Sequence, residues 1–385
     1  MKTRLAASFP ILLPLFALLL IQPLAARAVT VSTAQELLQA VDRANQGGDT
    51  EILLENGTYR LDRMLWVEAD NLRVRGLSGD RDSVIITGQG MAGGVTHIFN
   101  VAGSNFQVSD VTLRDVSQHA IQTQPSADAP QMRNLHILDT GEQMVKIAWD
   151  EGSPSATTDN GLLEHCLLEY SAGIGPQYYI GGIDCHAGKN WVVRGNVFRY
   201  IRSPEADLAE HAIHFWSWAE NTLVENNLIL DCDRGIGFGL GDRGHRGGMI
   251  RNNMIHHRDR GDRADVSISL ESAPGAQVCN NTIIHEHPYP NAIEYRFGQT
   301  RNVLIANNLT NAAITARDGA SADLRNNVAS ARPDWFADQA GGNLHLSGPV
   351  PEVVDKAMPI PGLDSDFDGQ PRPNGPAPDI GADEI

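Results

Sequence analysis

The sequence is poor in cysteine, in aromatic residues and in positive charge. Its 385 residues include four cysteines, and aromatic residues make up 6% of the chain. So few cysteines in a chain of this length exclude a small disulfide-built scaffold, and the lack of a CxxC spacing argues against a structural zinc site. We expect small buried residues with at most one bridge at Cys166, Cys185, Cys232 and Cys279.

Long apolar runs are also scarce. One such run, residues 11–21, follows the basic residues Lys2 and Arg4 and precedes Ala-Arg-Ala at residues 26–28. A basic start, a short apolar core and a small-x-small site together predict a signal peptide over residues 1–28. No later run approaches the roughly 20 apolar residues that a membrane-spanning helix needs. We therefore expect a soluble protein that is secreted or periplasmic and has no membrane contact.

The shortage of positive charge limits the partners of the protein. Lysine and arginine number 30 against 47 acidic residues, which gives a formal charge of −17. Residues 1–28 contain Lys2, Arg4 and Arg27 and no acid, so their removal leaves 27 − 47 = −20. Such a field repels nucleic acid and anionic membranes, and an anionic ligand would require a local basic cleft.

What the sequence does contain is a repeat built on asparagine pairs, as in NTLVENNLI and GGMIRNNMI. The second asparagines follow one another at intervals of 31, 26, 28, 27 and 19 residues: Asn196, Asn227, Asn253, Asn281, Asn308 and Asn327. We place Asp110, Asn134 and Cys166 in the same position of earlier repeats. This period, combined with β-branched residues, predicts a solenoid of strands in which buried asparagines form a hydrogen-bonded ladder.

A second motif of alternating apolar and polar residues follows the asparagine runs, as in HAIHFWS and NAIEYRF. Its apolar anchors are expected to point inward: Ile121, Val145, Ile183, Ile213, Ile236, Ile268, Ile293 and Ile314. The fold class is therefore all-β, a parallel β-helix over residues 29–350. The capping box Thr33 to Glu36 predicts a short helix that covers the first coil, and residues 351–385 are expected to wrap the last coil.

Three parts of the chain resemble a known group of proteins. They are VTVSTAQELLQAVDRANQGGDTEILLENGTYRL near the start, the asparagine ladder, and DFDGQPRPNGPAPDIGADEI at the end. Together they resemble the right-handed parallel β-helix proteins with the pectin lyase fold, in particular polysaccharide lyases of the chondroitinase B and alginate lyase type. The resemblance implies binding of an acidic polysaccharide and cleavage by a lyase.

The resemblance also brings calcium into consideration as a cofactor. It does not assign that family's catalytic lysine and arginine, or its calcium-binding acids, to positions in this sequence. The run from Asp364 to Gly369 has the opening pattern of a calcium loop, but the twelfth position is Gly375 instead of glutamate. We therefore predict a structural turn there, and no metal ligands are predicted elsewhere.

The residues between the apolar anchors form outward columns whose members lie about 4.8 Å apart. The first column is Gln122, Lys146, Asp184, His214, Gly237, Ser269, Glu294 and Thr315. The second column is Gln124, Ala148, His186, Trp216, Gly239, Glu271, Arg296 and Arg317. A third column, two residues before the anchors, includes His119, His211 and Arg234. We interpret Gly237 and Gly239 as the bare floor of a groove.

The residue types around this groove suggest β-elimination on a uronic-acid polymer. That reaction needs a cation at the carboxylate, a base for the C5 proton and an acid for the leaving oxygen. The candidate catalytic residues, with a histidine base and an arginine cation, are His214, His211, Arg234, His186, Glu271 and Arg296. The candidate substrate-binding residues, with Trp216 as a stacking platform, are Trp216, Lys146, Asp184, Glu294 and Arg317.

Two other functions remain open at this point. A glycoside hydrolase would use two carboxylates, for instance Glu271 with Asp184 or Glu294. A noncatalytic carbohydrate-binding or surface protein would bind without turnover. Structural ion pairs are an alternative role for Glu271, Arg296 and their neighbours. In each case we expect a monomer whose partner is a polysaccharide.

Overall fold

The computed structural model describes residues 28–258, 261 and 263–385. In this part of the chain, the backbone winds into a parallel β-solenoid of about ten coils with three long sheets. The prediction of an all-β parallel β-helix is confirmed, and the twist of L-residue strands favours a right-handed winding. The predicted signal peptide lies outside the described residues, except that Ala28 begins the first strand.

Ten coils each contribute one strand to each sheet, sheet 1 has one further strand at each end, and strands of successive coils pair in parallel. Sheet 1 consists of Ala28–Val31, Glu51–Leu54, Arg73–Gly76, Gln107–Ser109, Gln131–Arg133, Leu162–Glu164, Val192–Arg194, Leu223–Glu225, Met249–Arg251, Gln277–Cys279, Val303–Ala306 and Ala322–Arg325. Sheet 2 consists of Gly57–Arg60, Val84–Thr87, Thr112–Val116, His136–Thr140, Leu167–Glu169, Val197–Arg199, Leu228–Leu230, Met254–His257, Thr282–His285 and Leu309–Thr310. Sheet 3 consists of Leu65–Val67, Phe99–Val101, Ile121–Thr123, Val145–Ile147, Ile183–His186, His211–Trp216, Arg234–Phe238, Ile268–Glu271, Asn291–Arg296 and Ala313–Arg317.

Shorter elements complete the fold. The strands Ala219–Glu220 and His245–Arg246 pair in parallel, and Phe336–Asp338 and Asn343–Leu346 form an antiparallel pair. Short 3₁₀ helices lie at Arg81–Ser83 and Pro333–Trp335. Among the described residues, no helix has the length and apolar character needed to cross a membrane.

The predicted N-terminal helix is present at Ala34–Asn45. Thr33 Oγ1 accepts a hydrogen bond from the backbone N–H of Glu36, whose carboxylate in turn accepts from the N–H of Thr33, both at 3.2 Å. The helix buries Leu37 and Val41 against the first coil. The capping-box prediction is therefore confirmed, and the helix shields apolar side chains that the first coil would otherwise expose.

The interior of the solenoid is filled by the inward side of the three sheets. The predicted anchors from Ile121 to Ile293 have no exposed surface, and Ile314 in the last coil is partly buried. The four cysteines are buried free thiols. Their interpretation as small core residues is confirmed, and the single bridge that the sequence left open is not formed.

The asparagine ladder runs along one interior corner, as predicted. Asn227 donates from its side-chain nitrogen to Asn253 Oδ1 at 3.0 Å, and Asn253 donates to Asn281 Oδ1 at 2.9 Å. The same oxygen of Asn253 also accepts the backbone N–H of Asn227. The chain continues from Asn281 to Asn308 and ends at Asn327. Each rung therefore satisfies a buried backbone group as well as its own amide.

The placement of Asp110 and Asn134 in this ladder was wrong by one residue. Strand pairing aligns both with His165, the residue before Cys166. Asp110, Asn134 and His165 all have a positive φ, between 48° and 60°, and form an outer left-handed turn. Asparagine and aspartate tolerate this conformation, which explains why they occur there without belonging to the ladder. Cys166 does belong to it, because its N–H donates to Asn196 Oδ1.

We expect Asn253→Ala to lower the free energy of unfolding by about 2–3 kcal/mol, because the change leaves the buried N–H and side-chain amide of Asn227 without an acceptor. Chemical denaturation would measure the loss. Asn327→Ala is the matched control, since Asn327 ends the ladder and is partly exposed. Equal effects at the two positions would contradict an energetic role for the buried ladder.

The C-terminal segment lies along the side of the solenoid. The outer asparagines of successive coils donate to its backbone carbonyls: Asn226, Asn252, Asn280, Asn307 and Asn326. The segment thus spans several coils, where we expected it to wrap the last one. The last coil itself stays open enough that Leu324 is 47% exposed.

Candidate functional site

Sheet 3 has the register that the sequence predicts. The anchors pair with one another from coil to coil, so that Asp184 lies beside His214 and His186 beside Trp216. His211 lies beside Arg234 in the next coil. The residues of the outward columns are therefore neighbours on one sheet, as predicted. This register fixes their positions and does not decide their roles.

Asp184 is the centre of the most densely connected part of this sheet. Its carboxylate is ion-paired with Lys146 and accepts a hydrogen bond from the indole N–H of Trp216 at 2.7 Å. His186 Nε2 and His214 Nδ1 each lie 3.6 Å from its oxygens. Asp184 is only 4% exposed, so this set of partners offsets the cost of burying its charge.

The charges of this pair are fixed by their mutual contact. Burial acts to raise the pKa of Asp184, but its charged partners, Lys146 among them, outweigh burial and hold that pKa below its usual range. Burial acts to lower the pKa of Lys146, but Asp184 outweighs it and raises that pKa. Lys146 is consequently a cation and Asp184 an anion at neutral pH.

His186 connects this ion pair to the adjacent surface. Its Nε2 lies 3.1 Å from the Lys146 ammonium group, which can only donate, so Nε2 accepts. This arrangement places the ring proton on Nδ1, which donates to Ser217 Oγ at 3.1 Å. The side chain is 14% exposed. The network thus places Nε2 of this imidazole at the edge of a cavity, next to a cation.

A cavity of about 410 Å³ opens over this cluster. Besides the predicted residues, Trp149, Tyr179 and Arg243 line it. Sequence reasoning missed these three because they lie in loops beside the strands, outside the repeating columns. The sequence signal that could have found them is their position on loops next to the strands of the site, where binding residues concentrate.

Trp216 does not offer the open face expected of a sugar platform. The imidazole of His214 is stacked on it, with ring centroids 5.2 Å apart and an interplanar angle of 3°. The guanidinium of Arg243 lies 4.5 Å from its centroid. Trp216 therefore holds Asp184 and packs against its neighbours, whereas Tyr179 presents 40% of its surface to solvent.

The two glycines have packing roles, and one of them also lines the groove. A Cβ atom at Gly237 would lie 2.8 Å from Nε2 of His211, so the glycine makes room for that imidazole ring. Gly239 has φ +83°, and a Cβ there would lie 1.8 Å from the carbonyl oxygen of Glu271. Gly237 therefore seats a buried histidine and is not among the residues that line the groove. Gly239 allows close packing of coils and does line the groove, as predicted.

A second cavity, of about 390 Å³, continues along the same sheet. It shares Glu210 and Leu240 with the first cavity, so the two form one groove. The sequence-predicted residues that line it are His211, Arg234, Glu271, Glu294, Arg296 and Arg317. The structure thus brings every predicted site residue to one face, divided between two adjoining cavities.

The arginines of the second cavity already have acidic partners. Arg234 lies 3.4 Å from Asp265. Arg296 is ion-paired with Glu271 at 3.3 Å and with Asp318 at 2.7 Å. These ion pairs compete with a substrate carboxylate for the same guanidinium groups.

The carboxylates of the second cavity also have hydrogen-bond and ion-pair partners. Glu294 is 2% exposed, pairs with Arg317 at 2.9 Å, and accepts a hydrogen bond from the Tyr289 hydroxyl at 2.6 Å. Glu271 accepts the backbone N–H of Gly241 at 2.6 Å. Within the described part of the chain, these contacts give both acids a role in holding coils and loops together.

Comparison with known proteins supports the fold. No protein-family model and no curated protein matches the chain. Among solved structures, an alginate lyase from Paenibacillus sp. str. FPU-7 matches with a TM-score of 0.53 and 17% identity, covering 78% of this chain and 98% of that one. An endo-xylogalacturonan hydrolase from Aspergillus tubingensis matches with a TM-score of 0.45 and 8% identity, covering 77% and 93%. The likeness to the alginate lyase, at 17% identity, shows the shared β-helix fold.

Proposed function

We propose that this β-helix protein is a secreted polysaccharide lyase that cleaves a uronic-acid glycan by β-elimination in the first cavity. The observation that carries the proposal is the placement of Lys146, Arg243 and His186 around one cavity. Asp184 and Glu210 line the same cavity, and Lys146 is paired with Asp184. Arg243, whose ion pair with Glu151 at 3.5 Å is the more exposed one, is the cation most accessible to an anionic ligand. The solved structure of an alginate lyase with the same fold agrees with this substrate class.

The chemistry assigns a role to each group. Lys146 and Arg243 neutralise the uronate carboxylate, which makes the C5 proton more acidic. His186 removes that proton through Nε2. The electron pair forms the C4–C5 double bond, the bond from C4 to the glycosidic oxygen breaks, and the phenol of Tyr179 protonates the leaving oxygen.

This assignment moves the base from His214 to His186. His214 is 1% exposed, and its Nε2 lies 3.3 Å from the carbonyl oxygen of Gly239, which can only accept. The proton of the His214 ring is therefore on Nε2, and the ring is stacked against Trp216. His186 is nearer to the cavity and is the better placed acceptor of a substrate proton. Arg234 and Arg296 remain candidates for binding the neighbouring sugars in the second cavity.

The electrostatics argue against the carboxylate pairs that the sequence suggested for a hydrolase, Glu271 with Asp184 or Glu294. Such a hydrolase needs one carboxylic acid that stays protonated until it donates to the leaving group. The pKa of Asp184 is lowered by its partners, against the effect of burial, so this group is charged and cannot donate. Glu271 and Glu294 are committed to Arg296 and Arg317.

A substrate screen tests the function. We expect the purified protein to degrade at least one of alginate, pectate or a glycosaminoglycan, with the ultraviolet absorbance of an unsaturated uronide, and to leave neutral glycans intact. New reducing ends without that absorbance would identify a hydrolase. Binding without turnover on every uronate polymer would identify a noncatalytic protein, and either result would overturn the proposal.

A further inference from the structure

A cluster next to the proposed catalytic groups has no role in that mechanism. Glu210, His211 and His214 each place one ligand atom within 4.8 Å of the other two. The rings of His211 and His214 lie 4.5 Å apart, and both are almost completely buried. Two buried imidazoles beside a partly buried carboxylate need an explanation beyond packing.

The hydrogen bonds of the two rings leave basic nitrogens without partners. His211 Nε2 is 3.1 Å from Ser269 Oγ, and its Nδ1 is buried with no partner. The Gly239 carbonyl fixes the proton of His214 on Nε2. His214 Nδ1 consequently presents a lone pair, and it lies 3.6 Å from Asp184 Oδ1, which is also an acceptor. A cation bound near these two acceptors would remove the repulsion between them.

The carboxylate of Glu210 also lacks a hydrogen-bond partner among the described residues. None of the described residues forms a hydrogen bond or an ion pair with its carboxylate, although backbone contacts hold the residue in place. With its proton on Nε2, His214 presents Nδ1 as an unprotonated imidazole nitrogen. A neutral imidazole is the form that binds a metal ion.

We propose that Glu210, His211 and His214 form a binding site for a divalent transition-metal ion. Two imidazoles and a carboxylate are the donor set of zinc and of iron or manganese sites with open positions. Ser269 and the Gly239 carbonyl orient the rings from behind, as outer partners of metal-bound histidines do. Because Glu210 lines both cavities, the open positions face the groove and would take an anionic oxygen ligand. The site does not depend on the proposed lyase activity.

Metal binding to tag-free protein tests this proposal. The protein is treated with chelator, dialysed and titrated calorimetrically with Zn²⁺, Mn²⁺ or Co²⁺, and bound metal per chain is measured by elemental analysis. Glu210→Gln and His211→Gln are each expected to weaken binding of the ion by more than about 100-fold, since loss of an outer partner alone costs about 10- to 100-fold. Bound Co²⁺ should give visible absorption bands in the parent and lose them in both variants.

His119→Gln is the matched control. His119 is also buried in the third column of sheet 3, but its Nδ1 lies 2.7 Å from the Gln143 carbonyl and its Nε2 lies 3.5 Å from Glu142. This variant should bind the ion as the parent does. The second cluster of potential ligands, His345 with Asp368 and Asp383, is unchanged in all variants, so any ion bound there cancels in the comparison.

Several outcomes would overturn the site. They are no bound ion in the parent, equal stoichiometry and affinity in parent and variants, or an equal loss in His119→Gln. Thermal unfolding in chelator shows whether each variant is folded. If His211→Gln is not folded, Glu210→Gln decides, because that residue is only partly buried and the change preserves its shape. Since every readout is metal binding, failure of the lyase assay leaves this test intact.

Discussion

Replacement of His186 by glutamine is expected to lower kcat on the uronate polymer by about 100-fold or more, which is the scale of a lost general base. Glutamine keeps a polar group of similar reach near Lys146 and Ser217, so the fold should survive. Initial rates over a range of substrate concentrations would separate kcat from KM. A group that removes a proton should act mainly on kcat, whereas a group that only binds should act on KM.

The control for this experiment is His165→Gln. The side chain of His165 is 69% exposed and lies between strands of sheets 1 and 2, away from the groove. We expect unchanged kinetics and an unchanged melting temperature for this variant. Parent-like kcat in His186→Gln, with an active parent, would remove His186 from the mechanism. The base would then have to be sought at another group that lines the cavity, beginning with Tyr179.

Replacement of Lys146 by methionine is expected to lower the free energy of unfolding by about 3–5 kcal/mol, the usual cost of leaving one partner of a buried ion pair without its counter-charge. Lys146 is 14% exposed at its side chain and Asp184 only 6%. The same change should abolish turnover, since it removes a cation from the cavity. Denaturant unfolding and initial rates measure the two effects separately.

A double variant and a surface control make this result specific. In Lys146→Met with Asp184→Asn the buried charge is gone, so most of the lost stability should return while activity stays low. Arg63→Met removes a partner of an ion pair with Asp42 in which both side chains are about half exposed. That change should alter stability by less than about 1 kcal/mol. Equal losses in Lys146→Met and Arg63→Met would show that burial of the pair has no energetic consequence.

The sequence predicted the coil architecture because a solenoid repeats its local rules. Alternation of apolar and polar residues has a period of two, and each buried isoleucine anchor fixes the direction of its neighbours. For this reason the sequence alone predicts the register that places His214 beside Asp184. The same reasoning failed at Asp110 and Asn134, because an outer left-handed turn selects asparagine and aspartate just as the ladder does.

The tertiary structure decided which of the outward residues are available for chemistry. The sequence placed the groove histidines and arginines in columns. Only the packed loops and ion pairs show that Arg296 is paired with acids and that His214 and Arg243 pack against Trp216. The sequence repeat does not predict where the loops place Tyr179 and Arg243 beside the sheet, because loop length and packing set those positions. Strand periodicity is local and is written in the residue order, whereas exposure and charge pairing depend on contacts between residues far apart in the chain.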